Sequence, residues 1–343
     1  MHSFYTIKYE NKKVSMINQL LLPREEVYES YTTYEEVSDA IADMVIRGAP
    51  AIGIAAAYGM AIAFINKQDS ISNLLYFEKV KKRLAGTRPT AVNLFWAIDR
   101  MERVFKEISD SSLQVISEKL LNQAHKIYEE DVKICQAIGE NGAKLIKDGS
   151  TILTHCNAGA LATGAWGTAL GIIRSAAKTK KIKVYSCETR PYLQGARLTV
   201  WELMKDGIDT TLITDSMASH FISKGKIDAI IVGADRVAAN GDAANKIGTL
   251  GHAISANYYK VPMYFAVPNS TIDTKTPTGK EIPIEERHSR EITHINDCQI
   301  TPDNVKVLNP AFDVTPNELI SAIITEDKAY FKPFKFFPHD YKQ

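Results

Sequence analysis

The chain has 343 residues, 45% of them hydrophobic and 24% charged, a balance that excludes collagenous, disordered and disulfide-stapled classes. Lys plus Arg less Asp plus Glu is 41 − 40 = +1, so there is no overall field to draw nucleic acid or an anionic membrane. An anion would have to be held by a local site, and at about 150 residues per domain the length predicts two domains.

The opening segment reads as a small antiparallel hairpin, FYTIKY then VSMINQLLL, turning at Glu10-Asn11-Lys12-Lys13. It lacks the basic-then-apolar order of a signal peptide, which predicts a cytoplasmic protein. From there to residue 148 the pattern is helical: Leu94, Ile98, Met101, Phe105 and Ile108 recur at spacings of three and four, and Ser117 to Lys147 carries no proline. The longest nearly apolar run, Ala51 to Ile65, is shorter than the roughly 20 residues a bilayer crossing needs. A helical N-terminal domain, 1–148, is expected.

Past Gly149 short β-branched runs alternate with helical stretches. The runs are TILTH from 151, IKVYS from 182, TTLIT from 210, IDAIIVG from 227 and VPMYFAV from 261. Between them Ala160 to Ala177, Gln194 to Lys205, Met217 to Ser223 and Asn245 to Tyr259 are long enough for crossover helices. This predicts an α/β fold: a doubly wound, Rossmann-like parallel sheet over 149–343. The C-terminal YFKPFKFFPHDYKQ interleaves aromatics with lysines and is expected to pack on the body or on a neighbouring subunit, not on bases.

Ligands of such sheets bind beyond the carboxyl ends of the strands. Those ends carry Cys156-Asn157-Ala158-Gly159, Cys187-Glu188-Thr189-Arg190, Asp215-Ser216, Ala234-Asp235-Arg236 and Pro268-Asn269-Ser270. Cys156 enters a small-residue turn that opens a helix, which favours a thiolate; the alternative is an inert buried thiol. His155 is disfavoured as its partner, because neighbours on a strand point to opposite faces. Asp235 emerges from an apolar strand where desolvation would raise its pKa and let it donate a proton; the alternative is a helix-capping Asp. Asn245-Lys246 is expected to start a helix and to hold a phosphate there. Arg47-Gly48-Ala49-Pro50 and Arg88-Pro89-Thr90 each place an arginine at a helix start, a second and third anion candidate.

Other chemistries fail on search. There is no G-x-G-x-x-G after a strand, no G-x-x-x-x-G-K-[ST], and no H-E-x-x-H or C-x-x-C, so no nucleotide cofactor and no built-in metal are expected. Cys135, Cys156, Cys187 and Cys298 are scattered, as in a reducing compartment.

Several stretches closely resemble the methylthioribose-1-phosphate isomerases of methionine salvage. They are RGAPAIG from 47, RPTAVNL from 88, THCNAGALATGAWGTAL from 154, ETRP from 188 with QGARLT from 194, and GADRVAANGDAANKIGT from 233. The resemblance runs from the hairpin to GKEIPIEER, and the wider family includes regulatory subunits of a eukaryotic translation initiation exchange factor. It implies a cofactor-free aldose-to-ketose isomerase of a sugar 1-phosphate, working as a homodimer. It also implies Cys156 and Asp235 as the catalytic pair and Arg47, Gly48, Ala49, Arg88, Gln194, Asn245 and Lys246 as substrate contacts. Relatives acting on 5-deoxyribose 1-phosphate or ribose 1,5-bisphosphate would use the same phosphate and ring contacts, so the group at C5 stays open, as does a non-catalytic sensor.

Overall fold

The computed structural model describes residues 4–68, 70–88 and 91–337. They divide into two compact units, 1–135 with 159–167, and 136–158 with 168–343.

The first unit begins with the expected hairpin, β1 (Ile7–Glu10) and β2 (Lys13–Ile17). Asn11 and Lys12 between them both have positive φ, as a two-residue hairpin turn requires. A third strand, β3 (Tyr28–Tyr31), pairs antiparallel with β2; sequence reading missed it because its four residues show no clean alternation. Four helices follow: α1 (Tyr34–Ala42), α2 (Ala49–Ile65), α3 (Asn73–Ala85) and α4 (Val92–Ile108). The first is started by a capping box in which the Thr33 side chain accepts from the Glu36 N–H and the Glu36 carboxylate accepts from the Thr33 N–H. The second is apolar on every side, and such a helix must be central. From Ala51 to Phe64 all its residues are buried. Phe64, Phe77 and Phe105 meet beneath it, the last two stacked at 4.1 Å. Each such ring contributes about 2–3 kcal/mol by leaving water. Among the described residues no helix is long and apolar enough to cross a membrane.

The long α5 (Leu113–Ala143) gives its residues up to Cys135 to the first unit and the rest to the second. The second unit is built on β4 (Thr151–Thr154), β5 (Lys183–Cys187), β6 (Thr210–Ile213) and β7 (Ala229–Val232), which match four of the expected strands. Helices α6 (Ala169–Ala177), α7 (Val200–Lys205) and α8 (Met217–Ser223) lie between them in sequence. The stretch expected to be one helix from Ala160 is instead a single 3-10 turn, Ala160–Ala162, and then coil until α6. Glycines 164 and 167 interrupt it, and glycine is costly in a helix.

After β7 the chain makes a hairpin, β8 (Arg236–Ala238) and β9 (Ala243–Lys246), around Asn240-Gly241-Asp242. Asn245 and Lys246 therefore lie on a strand, which corrects the helix expected from Asn245; α9 (Thr249–Tyr259) starts later. All four residues of β9 are buried and paired with β14, and Ala243 and Ala244 pair with β8 as well, so pairing overrides their weak strand preference. Next come β10 (Met263–Ala266), β11 (Ile272–Asp273), a ribbon of β12 (His294–Ile295) and β13 (Cys298–Gln299), β14 (Phe312–Thr315), β15 (Ala322–Ile324) and β16 (Ala329–Phe331).

The main sheet has the order β16-β15-β10-β7-β4-β5-β6, parallel except for β16. Leaving β16 aside and counting the strands in chain order, this is 3-2-1-4-5-6, the doubly wound arrangement. A small sheet, β11-β8-β9-β14, sits in the same unit. Of the aromatic C-terminal stretch, Phe334 is buried and Phe336 meets Tyr330 edge to face; residues 338–343 lie outside the described set.

Candidate active site

In a 3-2-1-4-5-6 sheet the chain order reverses between the first and fourth strands, and a crevice opens beyond their carboxyl ends. Here those strands are β4 and β7, which pair directly. Cys156 leaves the end of β4, and Asp235 follows β7 after Gly233 and Ala234. The topology thus brings these two residues, 79 positions apart, to one end of one sheet.

Cys156 is partly buried and its backbone has φ of 67°, a left-handed conformation that a side-chain-bearing residue adopts only when its surroundings impose it. The surroundings are threonines. The Cys156 N–H donates to Thr189 Oγ1 at 2.8 Å, and Thr199 Oγ1 donates to the Cys156 carbonyl at 2.6 Å. The next residue, Asn157, donates to Thr199 Oγ1 and to the Glu202 carboxylate, which is fully buried and paired with Arg174 at 2.7 Å. No α-helix opens beside Cys156, so the helix field expected to favour its thiolate is absent. Lys246 lies within electrostatic reach of it: burial lowers the ammonium's pKa, and the Cys156 side chain is the first of the charges pulling it back up.

Asp235 differs from expectation. It is exposed, because the chain turns through Gly233-Ala234 to the rim of the sheet, where the Asp235 N–H donates to the Ala244 carbonyl at 2.8 Å.

Gln194 is buried, and its side-chain oxygen is enclosed with no hydrogen-bond donor. An enclosed acceptor without a partner is costly and marks a place for a ligand donor. A π-helical turn, Gly195–Thr199, follows it. A side chain at Gly195 would place Cβ 1.7 Å from the Cys187 carbonyl oxygen, so only glycine lets the turn close.

Asn245 and Lys246 are buried on β9. Asn245 donates to Thr249 Oγ1 at 3.1 Å, and the Lys246 ammonium lies 4.6 Å from the Phe312 ring centre. Contrary to the expectation of a phosphate there, the adjacent start of α9 is occupied: its Gly248 and Leu250 N–H groups donate to the Asp313 carboxylate at 2.7 and 3.1 Å. Asp313 was not picked out because it lies 63 residues beyond Leu250.

In the first unit, Gly48 caps α2 with φ of 97° and has no side chain of its own to bond that helix start. A Cβ on Gly48 would come within 2.5 Å of Ala162. Arg47 is buried, and its Nε donates to Gln19 Oε1 at 3.1 Å, while Gln19 donates to the Leu161 carbonyl. Ala49 is the first helical residue. Arg88 precedes the Ala91 cap of α4; Pro89 and Thr90 lie outside the described residues. The structure therefore places Arg47, Gly48, Ala49 and Arg88 in one unit and Cys156, Gln194, Asp235, Asn245 and Lys246 in the other.

Sequence reading did not find two further groups. Asp131 Oδ2 accepts from the Gly164 N–H at 2.6 Å, and burial of its carboxyl pushes the pKa up to about 6. His155 and His252 face each other within the second unit, Nδ1 to Nε2 at 3.3 Å, and burial pushes them down to about 4 and about 3. Only an apolar stretch interrupted by a charge, as in ALGIIRSAA around Arg174, offered any signal of such buried polar chemistry.

The model of the initiation factor 2 subunit family matches residues 45–329. A methylthioribose-1-phosphate isomerase of Geotalea uraniireducens is 55% identical over 336 residues, covering 94% of each chain. The structure of 5-methylthioribose 1-phosphate isomerase from Pyrococcus horikoshii superposes with a TM-score of 0.91 at 44% identity, covering 96% of this chain and 93% of that one. A structure titled translation initiation factor eIF-2B, subunit delta, from A. fulgidus gives 0.89 at 44% identity, covering 97% of both. On this likeness, which spans nearly the whole length, the chain belongs to the initiation factor 2 subunit family and, within it, to the methylthioribose-1-phosphate isomerases.

Proposed function

We propose that this chain interconverts 5-methylthioribose 1-phosphate and 5-methylthioribulose 1-phosphate in methionine salvage, with Cys156 and Asp235 as its catalytic pair. The observation that carries the reading is their shared position at the reversal point of the sheet, in a chain of this family. Arg47, Gly48, Ala49, Arg88, Gln194, Asn245 and Lys246 are the proposed substrate contacts. The glycine-capped start of α2 beside a buried guanidinium suits the phosphate. The enclosed oxygen of Gln194 suits a sugar hydroxyl.

The esterified anomeric oxygen blocks spontaneous ring opening, so the enzyme must open the ring. In the proposed sequence the Cys156 thiolate, held by the Lys246 ammonium, takes the proton from C2 while Asp235 gives its proton to the ring oxygen and the C1–O bond breaks. The C1–C2 enol then loses its hydroxyl proton to Asp235, and Cys156 returns a proton to C1, which restores both groups. Because Asp235 is exposed, its protonated form has to be favoured by bound substrate. A hydride shift from C2 to C1 is the competing route: deuterium from solvent at C1 supports the enol, and full retention of a C2 label under single-turnover and prolonged incubation supports the shift.

The deciding experiment incubates the purified chain separately with methylthioribose 1-phosphate, 5-deoxyribose 1-phosphate and ribose 1,5-bisphosphate and follows ketose formation by NMR. Preference for the first is expected. Preference for another moves the substrate assignment, and tight binding with no turnover of any replaces the enzyme reading by a sensor. The chain is proposed to act as a homodimer, which light scattering checks.

A further inference from the structure

We propose that Nδ1 of His155, Nε2 of His252 and Sγ of Cys187 form a zinc-binding site, with Asp215 Oδ1 as the fourth donor. The three side chains are buried, at 1%, 4% and 0% exposure, and their donor atoms lie within 4.8 Å of one another. His252 Nε2 is 3.3 Å from His155 Nδ1 and 3.7 Å from Cys187 Sγ, and Asp215 Oδ1 is 3.6 Å from His155 Nδ1. Ligands at about 2.1 Å for nitrogen and 2.3 Å for sulfur, set at a tetrahedral angle, stand roughly 3.3–3.6 Å apart. Three of these separations are already near those of a coordinated tetrahedron, and the His155, His252 and Cys187 donors lie within 4.8 Å, so a small inward shift would close the set.

Supporting bonds aim the donors inward. His155 Nε2 lies 2.9 Å from the Ile247 carbonyl, so that nitrogen carries the proton and Nδ1 presents a lone pair, the arrangement of metal-bound histidines. Both Asp215 oxygens are steered by backbone, from the N–H groups of Thr189 at 2.8 Å and Arg190 at 2.7 Å. The donors come from the ends of β4, β5 and β6 and from α9, elements that cannot drift independently. On binding, the Cys187 thiol proton leaves to solvent as the S–Zn bond forms. Thiolate and carboxylate then offset the dication at a site whose other three donors are buried and whose Asp215 side chain reaches the surface. Mixed imidazole and thiolate donors select zinc over calcium or magnesium. The cluster carries no part of the proposed isomerisation.

The test uses tag-free full-length protein, stripped by chelator and dialysed against micromolar zinc, with bound metal measured by plasma mass spectrometry. About one zinc per chain and a higher Tm than the stripped protein are expected. Cobalt in its place should give tetrahedral d–d bands and a thiolate-to-cobalt charge-transfer band. His252→Leu, which fills the same apolar surroundings, should lose the metal and the Tm shift while keeping its fold by circular dichroism. Cys187→Ala should lose the charge-transfer band. Wild-type protein that retains no zinc and shows the same Tm with and without it overturns the site, as does a His252→Leu chain that binds as wild type does.

Discussion

The two units solve the problem of presenting polar groups in opposite ways. In the first, the candidate contacts stand at a helix start that glycine alone can form, and what they offer is backbone N–H groups and a guanidinium whose charge does not change. In the second, they stand at strand ends and on β9, and what they offer can titrate: a thiol, a carboxyl and an ammonium. Binding by fixed charge and catalysis by movable protons call for different scaffolds. Shape suffices for the first, whereas the second needs groups held rigidly enough that their environments stay different.

That contrast can be broken at the scaffold. Arg174→Met would leave Glu202 buried without its cation, and loss of one partner of a buried pair costs about 3–5 kcal/mol. Chemical denaturation should show that loss, together with poorer turnover as Asn157 and Cys156 lose their anchor. A loss under 1 kcal/mol would mean the network does not hold the strand end. At the chemistry itself, Cys156→Ser and Asp235→Asn should each lower kcat by roughly a hundredfold with little change in Tm. Normal turnover in either removes that residue from the mechanism.

The units should also answer pH in opposite directions. His155 and His252 have folded pKa values depressed below the usual 6.5, so their contribution to stability is present above about pH 6.5 and is lost as pH falls toward 4 and 3. His252→Leu should flatten that acid limb of a Tm-against-pH curve measured without metal. Asp131 is raised instead, from 3.8 to about 6, so its contribution is full below about pH 3.8 and is lost as pH rises through 6. Asp131→Asn, which keeps an acceptor for Gly164, should gain more Tm at pH 8 than at pH 4; an equal change at both would refute the shift. The smallest effect belongs to a cap: Thr33→Ala should cost about 1 kcal/mol and leave kcat alone.

Strands with β-branched runs, such as those leading to Cys156 and Asp235, were legible because a buried parallel strand needs little beyond its own composition. The strand containing Asn245 and Lys246 was not, because AANK is extended only by virtue of its partners on both sides. Position along the chain told which residues reach the sheet's end, but not how wet they would be there. Asp235 looked desolvated from its apolar approach and is exposed, since exposure is decided by the turn after the strand. The meeting of His155, Cys187 and His252 escaped motif search for a related reason: their spacings of 32 and 65 residues are set by sheet order and follow no local pattern.

The division into units has a consequence for anyone who would take the molecule apart. The backbone passes from one unit to the other at 135/136, returns for 159–167 and leaves again at 168, with one crossing two residues after Cys156. No single cut therefore separates the two units whole: wherever the chain is divided, at least one unit loses a segment to the other fragment. Fragments expressed from two parts of the coding sequence would always leave at least one unit short of a segment, so the chain has to be studied, inherited and engineered whole.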